Sequence, residues 1–339
     1  KKIHDITIIT AHKSIRKRLD KKIKLITPNS NIWITRSRYP KYFICLIYLT
    51  LFLLRNKFTL VFAFQANSYA SLVAKIFRKS IITRSNSSSA GWSDNYFKKI
   101  FYKVFFKLPD RVIVNSYEFK KELDQKFNIN SLTIYNPLNK AHIKNESKKK
   151  IKLTFFKRNK LRLITLGRLV DQKDHTTMIK AINLIKNKNV QLLIIGKGSN
   201  RNKLINYIRK NKMSSVIKII SFKKNPYKYL RQADIFLLTS KFEGLPNVLL
   251  EAQCLKKYII STACPTGPKE ILLNGRAGDL INIGDYVGLS NKINNYIENK
   301  HKFKNSINKK IKLGHTNLNR FDFNLNMKKY YNVIKKHIY

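Results

Sequence analysis

The strongest constraint on the fold is a strand, a loop and a helix encoded by residues 235–252. Residues 235–238 read Ile-Phe-Leu-Leu, an apolar run short enough to be a buried strand. Residues 239–244 form a loop. Pro246 suits the first position of a helix, because its missing N–H would be unsatisfied there in any case. The helix should continue through Ala252. The same order of elements recurs along the chain, so the sequence predicts an α/β fold.

Two carboxylates flank the start of this helix, Glu243 in the loop and Glu251 within the helix. A helix N-terminus offers free N–H groups and a positive dipole end, which suit a phosphate. Glu251 lies five residues past Pro246, roughly 7.5 Å along the axis, about the reach from a diphosphate to an attached ribose. One carboxylate could therefore hold ribose hydroxyls while the other faces the group on the far phosphate. The alternative is a capped surface helix beside an acidic loop.

The residues around the two glutamates carry a family resemblance. They read Ser240-Lys241-Phe242-Glu243-Gly244-Leu245-Pro246 and continue to Glu251-Ala252. This stretch resembles the paired-glutamate motif of the retaining glycosyltransferases of family 4, also called group 1, in which two glutamates stand eight positions apart. The resemblance implies the GT-B fold: two facing, doubly wound Rossmann-like α/β domains, with the donor in the second domain, the acceptor cleft between them and a C-terminal helix crossing back.

The strand and helix patterns divide the chain in the same way. We expect an acceptor-side domain over residues 1–140, a charged linker over 141–160, a nucleotide-sugar-binding domain over 161–320 and the crossover helix over 321–339. A GT-B domain should open with a strand and a Gly-rich loop. The chain instead opens with Lys1 directly before a strand-like run, so we expect an N-terminally truncated sequence.

Within the first domain we predict strands at residues 3–10, 23–26, 60–64, 80–83, 111–116 and 132–135, and helices at 68–78, 96–107 and 117–127. Residues 42–54 carry no charge, but the run is too short for a transmembrane helix, which needs roughly 20 residues. We expect a buried helix of a doubly wound sheet, with a membrane-dipping helix as the alternative. The polar loop over residues 84–92 follows a strand, and the resemblance gives Arg84 and Asn86 the acceptor side.

Within the second domain we predict strands at residues 161–166, 191–195, 217–221, 235–238 and 258–261, and helices at 174–186, 202–210, 226–233 and 322–339. Arg168 and Lys173 lie just past a strand end, where ligands gather in open α/β sheets. The resemblance implies that both cations neutralise the leaving diphosphate, whose charge builds as the glycosidic bond breaks. Because no Asp-x-Asp occurs in the chain, we expect no metal requirement and no cofactor.

The resemblance assigns site residues one by one. Three are expected to be catalytic: Arg168, Lys173 and Glu243. The donor should also contact a further set: Gly167, Gly196, Gly198, Gly244, Leu245, Asn247 and Glu251. The turn containing Gly196 and Gly198 is a weak signal by itself, and it is not the dinucleotide fingerprint, because Arg201 stands where a third glycine would be.

The charge of the chain bears on its partners. Lys and Arg number 69 against 18 Asp and Glu, giving a net charge of +51. Two interpretations stand together: a compositional bias rich in Lys, Asn and Ile, and attraction to an anionic leaflet. The lysines are dispersed along the whole chain, which argues against a nucleic-acid arm. The three cysteines, Cys45, Cys254 and Cys264, lack metal spacing, and so few cysteines fit a reducing cytoplasm.

The function that the resemblance implies is retaining transfer of a hexose or N-acetylhexosamine from a nucleotide diphosphate sugar, with a UDP-sugar favoured. The acceptor would be a lipid-linked or envelope glycan, as in lipopolysaccharide, O-antigen or capsule synthesis. The enzyme would lie in the cytoplasm, peripheral at the inner face of the plasma membrane. The alternatives are a truncated, inactive nucleotide-binding remnant and, less favoured, a basic nucleic-acid-binding protein.

Overall fold

The computed structural model describes residues 5–30, 33, 37–57, 59–86, 96–185 and 189–338, with the side chains of residues 96–99, 300 and 301 left aside. All strand pairs in this part of the chain are parallel. They form one sheet system in each half of the sequence, with helices between successive strands. The fold is the predicted α/β arrangement of two domains.

The first domain contains a two-stranded sheet, β1 (Thr7–Ile9) with β2 (Lys24–Ile26), joined by a short 3-10 segment, Lys13–Arg18. Its main sheet has the order β3 (Val61–Ala63), β4 (Ile81–Ser85), β5 (Arg111–Val114) and β6 (Leu132–Thr133). The helices are α1 (Arg38–Arg55), α2 (Asn67–Ile76), α3 (Tyr96–Phe105) and α4 (Tyr117–Phe127). Each strand and helix predicted here is confirmed within a few residues.

The helix predicted at residues 42–54 is present, but the prediction that it is buried is wrong. The helix exists as α1, but among its residues only Leu53 is buried, while Phe43 and Leu54 are more than three-fifths exposed. One side of α1 packs through Leu46, Leu49 and Phe52, and the sheet covers only that side. A helix that is apolar all round therefore leaves an apolar stripe in solvent. No helix among the described residues is long and apolar enough to cross a bilayer.

The second domain has a six-stranded sheet. In spatial order its strands are β12 (Asp279–Ile281), β11 (Tyr258–Thr262), β10 (Ile235–Leu238), β7 (Leu161–Leu166), β8 (Val190–Ile195) and β9 (Ile217–Ile220). Its helices are α6 (His175–Leu184), α7 (Arg201–Lys210), α8 (Tyr227–Leu230), α9 (Asn247–Cys254), α10 (Pro268–Ile271), α11 (Tyr286–Glu298) and α12 (Lys300–Asn317). The central strands are buried on both faces, as continuous apolar runs in a parallel sheet require.

Three local expectations differ from the structure. Residues assigned to the linker include α5 (Lys140–Lys148), which Asn139 caps and Ile143 anchors in the core. Pro246 is the N-cap of α9 and has an extended backbone, so it stands one position before the predicted first helical residue. The helix expected at residues 226–233 is only the single turn α8. The sequence analysis assigned nothing to β12, α11 and α12.

The C-terminal helix crosses back, as predicted. The chain leaves the second domain through the 3-10 segment Leu318–Phe321 and enters α13 (Phe323–Ile338). Tyr330, Val333 and Ile334 of α13 pack on the main sheet of the first domain. At the junction, the amide of Leu138 donates to the carbonyl of Phe321 at 2.8 Å.

Phe321 fixes the point where the chain turns back, and its replacement should be costly. The side chain is fully buried, with its ring 4.8 Å from that of Tyr135. We expect Phe321→Ala to lower the free energy of unfolding by about 3–5 kcal/mol, because a large cavity replaces the ring. Urea unfolding measures this. Phe323→Ala, two residues away on an exposed ring, is the matched control and should change stability by less than about 0.5 kcal/mol; equal losses would contradict the assignment.

Candidate active site

The loops after four parallel strands meet at one edge of the second sheet. They follow β7, β8, β10 and β11 and comprise residues 167–173, 196–198, 239–244 and 263–267. Since parallel strands all end at the same edge, the loops that follow them form a common surface, where ligands bind in folds of this class. The structure brings the residues predicted for the donor to this surface.

Glu243 and Lys173 are in direct contact there. The Lys173 Nζ lies 2.5 Å from Glu243 Oε1, and the Ser240 hydroxyl donates to the same oxygen at 2.6 Å. Both charged side chains are largely buried, with 15% and 7% of their surface exposed. Removing one partner of such a pair would leave an uncompensated charge out of water, which costs several kcal/mol. The pair is therefore held firmly at the strand ends.

The loop that carries Arg168 and Lys173 is hydrogen-bonded to the loop that carries Glu243. The side chain of Gln172 donates to the carbonyl of Phe242 at 2.8 Å, and the amide of Lys241 donates to the carbonyl of Gln172 at 2.9 Å. Arg168 remains exposed, and one of its guanidinium nitrogens donates to the Gln172 side chain at 3.2 Å. Arg168 therefore presents its charge to solvent beside the buried pair.

The glycines at positions 196 and 198 are required by neighbouring backbone. A Cβ on Gly196 would lie 1.8 Å from the carbonyl oxygen of Gly167, and one on Gly198 would lie 2.3 Å from that of Leu169. The amide of Leu169 also donates to the carbonyl of Lys197 at 2.9 Å. The turn predicted to face the nucleotide thus packs without side chains against the loop that carries Arg168.

A second turn supports the backbone on either side of Glu243. The Thr266 hydroxyl donates to the carbonyl of Glu243 at 2.7 Å, and the amide of Glu243 donates to the carbonyl of Pro265 at 3.2 Å. Gly267 has a φ of +83°, and a Cβ there would lie 2.1 Å from the carbonyl oxygen of Gly244. Only glycine fits this position, because the conformation is left-handed and the contact is tight.

Glu251 lies four residues into α9, about 6 Å along the axis from its first residue. Its carboxylate accepts a hydrogen bond from the Tyr227 hydroxyl of α8 at 3.3 Å. Burial raises the pKa of Glu251 to about 7, and the hydrogen bond from Tyr227 opposes that rise. Burial also raises the pKa of the Tyr227 hydroxyl, with the charge of Glu251 as the next cause. The carboxyl group therefore changes charge near neutral pH.

The first domain contacts the start of α9 directly. The Asn136 side chain donates to the Asn247 side chain at 2.6 Å and to the carbonyl of Leu245 at 3.4 Å. A Cβ on Gly244 would lie 1.9 Å from the carbonyl oxygen of Asn86. The donor-side loop and the first domain are therefore in contact across the cleft, with backbone against backbone at Gly244.

The two residues predicted for the acceptor side are held by other groups. A guanidinium nitrogen of Arg84 donates to the Asn136 side chain at 2.5 Å, and the Arg84 guanidinium lies over the Tyr330 ring at 5.7 Å. The carbonyl of Asn86 accepts from the Asn115 side chain at 3.1 Å. The rest of the predicted acceptor loop, residues 87–92, lies outside the described residues.

Burial keeps two other titratable groups behind the site uncharged at neutral pH. His175 is buried, and burial followed by the charge of Lys173 lowers its pKa to about 4. Burial and then the charge of Glu243 raise the pKa of the Cys264 thiol to about 12. Asp174 caps α6 by accepting from the amide and hydroxyl of Thr177. His175 is therefore the first helical residue after the cap Asp174.

Sequence reasoning missed four residues that fix the site. Each donates a side-chain hydrogen bond to a carboxylate or a loop carbonyl of the site. Ser240 and Tyr227 donate to the carboxylates of Glu243 and Glu251. Gln172 and Thr266 donate to backbone carbonyls of the Glu243 loop. Ser240 lies inside the paired-glutamate motif, so its position was a usable signal. Nothing in the local sequence indicates that Tyr227 reaches Glu251, because α8 and α9 belong to separate strand–helix units.

Comparison with known proteins agrees with this geometry. Residues 146–313 match the family described as Glycosyl transferases group 1. An uncharacterized glycosyltransferase of Methanocaldococcus jannaschii is 32% identical over 217 residues, which cover 59% of this chain and 53% of that protein. The N-acetylgalactosamine-N,N'-diacetylbacillosaminyl-diphospho-undecaprenol 4-alpha-N-acetylgalactosaminyltransferase of Campylobacter jejuni is 25% identical over 226 residues, 64% of this chain and 60% of that protein. The chain thus aligns with between half and three-fifths of these relatives' length.

The fold has close counterparts among crystal structures. Anabaena Alr3699/HepE in complex with UDP superposes with a TM-score of 0.76 at 15% identity, covering 97% of this chain and 91% of that one. This likeness shows the GT-B fold over nearly the whole chain, the architecture expected from the paired glutamates.

The raised pKa of Glu251 predicts a pH-dependent stability. The carboxyl has an ordinary pKa of 4.5, and about 7 when folded. Below pH 4.5 it is protonated in both states; between 4.5 and 7 it ionises only in the unfolded chain, so folded stability falls as pH rises through this window. Glu251→Gln should therefore gain stability relative to the wild type from pH 4.5 to 7, by up to about 3 kcal/mol, and keep that gain above pH 7.

Unfolding by urea at a series of pH values from 4.5 to 8.5 measures this difference. Glu298→Gln, on the exposed side of α11, is the matched control and should give the wild-type profile. A constant difference between Glu251→Gln and the wild type at every pH would show that Glu251 titrates at its ordinary pKa.

Proposed function

Because this chain belongs, through residues 146–313, to the glycosyl transferases of group 1, we propose that it transfers a hexose or N-acetylhexosamine from a nucleotide diphosphate sugar, with retention of configuration. The acceptor is a lipid-linked or envelope glycan, of the kind used in lipopolysaccharide, O-antigen or capsule synthesis. The observation that carries the proposal is the buried pair of Lys173 and Glu243 beside the start of α9.

Each charge near this pair has a task in such a reaction. Arg168 and Lys173 supply positive charge where the departing diphosphate gains negative charge, and fixed cations of this kind lower the barrier without moving. Glu243 faces the sugar. The amides of Gly244 and Leu245 and the side chain of Asn247 lie at the N-terminus of α9, which favours an anion. Since two cations serve the diphosphate, the transfer is proposed to need no metal ion.

Glu251 is proposed to accept the ribose hydroxyls of the nucleotide. It lies along α9 from the phosphate end, and its pKa near 7 leaves it ionised in slightly alkaline solution. An ionised carboxylate accepts two hydroxyl hydrogen bonds strongly. A UDP-sugar is favoured as donor, in line with the UDP bound by the Anabaena protein of the same fold.

A lipid-linked acceptor fits the relative from Campylobacter jejuni, whose name specifies a diphospho-undecaprenol substrate. Such an acceptor requires the enzyme to work at a bilayer surface. We therefore propose peripheral attachment to the cytoplasmic face of the plasma membrane, an anionic surface, rather than binding to nucleic acid.

The first domain offers a surface for this attachment, here called the apolar face. It consists of exposed side chains on three helices that pack in succession, namely Phe43, Ile47, Leu51 and Leu54 on α1, Tyr69, Leu72 and Ile76 on α2, and Ile100 and Val104 on α3. On α1 these positions recur at intervals of three or four, so they form one stripe. The rings of Tyr69 and Phe101 lie 6.2 Å apart, which joins α2 to α3.

The charges around the apolar face suit anionic lipid. Residues 21–93 contain no Asp or Glu. Exposed basic side chains lie on or next to the three helices: Arg38, Arg55, Lys57, Arg78, Lys103 and Lys107. Each basic residue near an anionic leaflet contributes about 1 kcal/mol of attraction. Asp110, paired with Lys75 of α2 at 2.7 Å, is an acidic group beside them. Apolar side chains flanked mainly by basic residues are typical of surfaces that dip into the interfacial layer.

Nucleotide binding tests the donor site. We expect Glu251→Ala to weaken the binding of UDP by roughly 1.5–3 kcal/mol, the value of hydrogen bonds to a charged group. Isothermal calorimetry at pH 8 measures this, and a chelator in the cell should leave the wild-type affinity unchanged. Glu298→Ala on exposed α11 is the control. Wild-type affinity in Glu251→Ala would refute its ribose contact, and lost binding with the chelator would refute metal independence.

Flotation with lipid vesicles tests the apolar face. We expect binding to phosphatidylglycerol vesicles at low salt and partial release at high salt, because surface attraction is screened over about 8 Å at physiological ionic strength. The salt-resistant fraction should disappear in the double variant Phe43→Ser, Leu51→Ser. Phe52 is left unchanged, since it packs in the core of the first domain.

The control of the same residue types is Phe323→Ser, Leu325→Ser, which removes two exposed apolar side chains from α13 and should bind like the wild type. Equal recovery of the wild type in the soluble fraction with anionic and neutral vesicles would show that the positive charge is compositional only.

A further inference from the structure

Two glutamates, one in each domain, accept hydrogen bonds from backbone amides of the other domain. Glu118, in the first turn of α4, accepts from the amide of Gly267 in the second domain at 3.0 Å. Glu270, in α10 of the second domain, accepts from the amides of Tyr117 and Glu118 at 2.9 and 3.2 Å. Each domain thus supplies a carboxylate to backbone donors of the other. We call this reciprocal contact the interdomain clamp.

The clamp is well supported on the Glu270 side. The Tyr135 hydroxyl donates to Glu270 Oε1 at 2.6 Å, and a guanidinium nitrogen of Arg320 lies 4.0 Å from the same oxygen. The Glu270 side chain is only 8% exposed. Buried carboxylates are retained only when hydrogen-bonded and compensated, and three donors with a nearby cation satisfy that condition for Glu270.

Glu118 is more weakly compensated. Burial raises the pKa of Glu118, and the charge of Glu270 raises it further, while the amide of Gly267 and the charge of Lys269 oppose the rise. The two like charges are tolerated because each is bound by N–H groups of the opposite domain. The energy of either contact therefore depends on the other being made, since both require the domains to lie together.

The residue that Glu118 holds belongs to the turn beneath Glu243. Gly267 follows Thr266, whose hydroxyl donates to the carbonyls of Glu243 and Gly244 at 2.7 and 3.2 Å. A Cβ on Gly267 would collide with the carbonyl of Gly244, so the turn and the Glu243 loop cannot move independently. A shift of Gly267 is transmitted to Glu243 through close-packed backbone.

We propose that Glu118 and Glu270 are positioning residues: through the clamp, closure of the first domain sets the place of Glu243. The positioning role rests on the proposed function, whereas the clamp itself does not. Neither residue is proposed to touch the donor. The reaction geometry then requires both domains, although the charges assigned to the diphosphate, Arg168 and Lys173, lie in the second.

Amide hydrogen exchange tests the clamp without any ligand. We expect Glu118→Ala and Glu270→Ala each to speed exchange at Gly267 by about tenfold or more, the effect of losing a hydrogen bond to a charged group. Glu270→Ala is the sharper case, because Glu270 makes no hydrogen bond to the Gly267 amide and acts there only through domain closure. Residues 265 and 268 are prolines without amide hydrogens. NMR detection of exchange is therefore used to separate the Gly267 amide from the nearby amides of Thr266 and Lys269.

The exchange rate of Gly267 in the double variant tests whether the two contacts form a single clamp. The double variant should exchange at Gly267 no faster than the faster single variant, because one opening breaks both contacts. Asp285→Ala is the matched control: it removes an acidic N-cap that accepts from the amide of Gly288 at 2.7 Å wholly within the second domain. Unchanged Gly267 exchange in Glu270→Ala, additive rates, or equal acceleration in Asp285→Ala would each overturn the clamp.

The affinity for UDP-glucose tests the positioning role. Glu118→Ala should weaken binding of UDP-glucose at least about fivefold, the lower range of coupling between sites, while Glu118→Gln, which keeps an acceptor oxygen, should recover most of the affinity. Wild-type affinity in Glu118→Ala together with accelerated Gly267 exchange would overturn positioning. If the wild-type chain binds neither UDP-glucose nor UDP-N-acetylglucosamine, the favoured UDP-sugar donor fails and the positioning role fails with it, while the exchange rates still decide the clamp.

Discussion

Parallel pairing of the described strands is the constraint on which the rest of the structure depends. It places the loops after β7, β8, β10 and β11 on one edge of the second sheet, and Asn86 after β4 with the loops after β5 and β6 on one edge of the first. The crossover helix then holds the two edges opposite each other by packing Tyr330, Val333 and Ile334 on the first sheet. Chemistry can be assembled from residues far apart in sequence because every unit delivers its loop to the same cleft.

The site is built mainly by backbone packing, and the charges are added to it. Gly196, Gly198 and Gly267 let one loop lie against another where any Cβ would collide. Hydroxyl and amide groups from Thr266 and Gln172 then fix carbonyls on both sides of Glu243. A buried ion pair such as Lys173 with Glu243 contributes little to folding by itself. In the proposed transfer, the pair would hold opposite charges in place before a substrate arrives, which is how preorganised sites stabilise developing charge.

The position of the positive charge is more informative about partners than its total. Lysines dispersed along a whole chain are a weak argument for any partner. The absence of acidic residues from 21–93, together with the apolar face on α1, α2 and α3, concentrates attraction and apolar contact on one domain. The proposed lipid-linked acceptor would require attraction and apolar contact of this kind on the domain proposed to receive it.

The sequence by itself determined the elements and the chemical residues. Apolar runs predicted each central strand, Pro246 marked a helix start to within one residue, and the eight-residue spacing of Glu243 and Glu251 indicated the family. These features depend on neighbours along the chain. The sequence analysis was wrong about the burial of α1, because an uncharged run does not indicate which of its sides a sheet will cover. Only the tertiary structure decided that Arg84 binds Asn136, that Tyr227 reaches Glu251, and that Glu118 and Glu270 join the domains. Glu270 lies 152 residues from Glu118, and a periodicity reports burial within one element, not the partner that domain orientation brings to it.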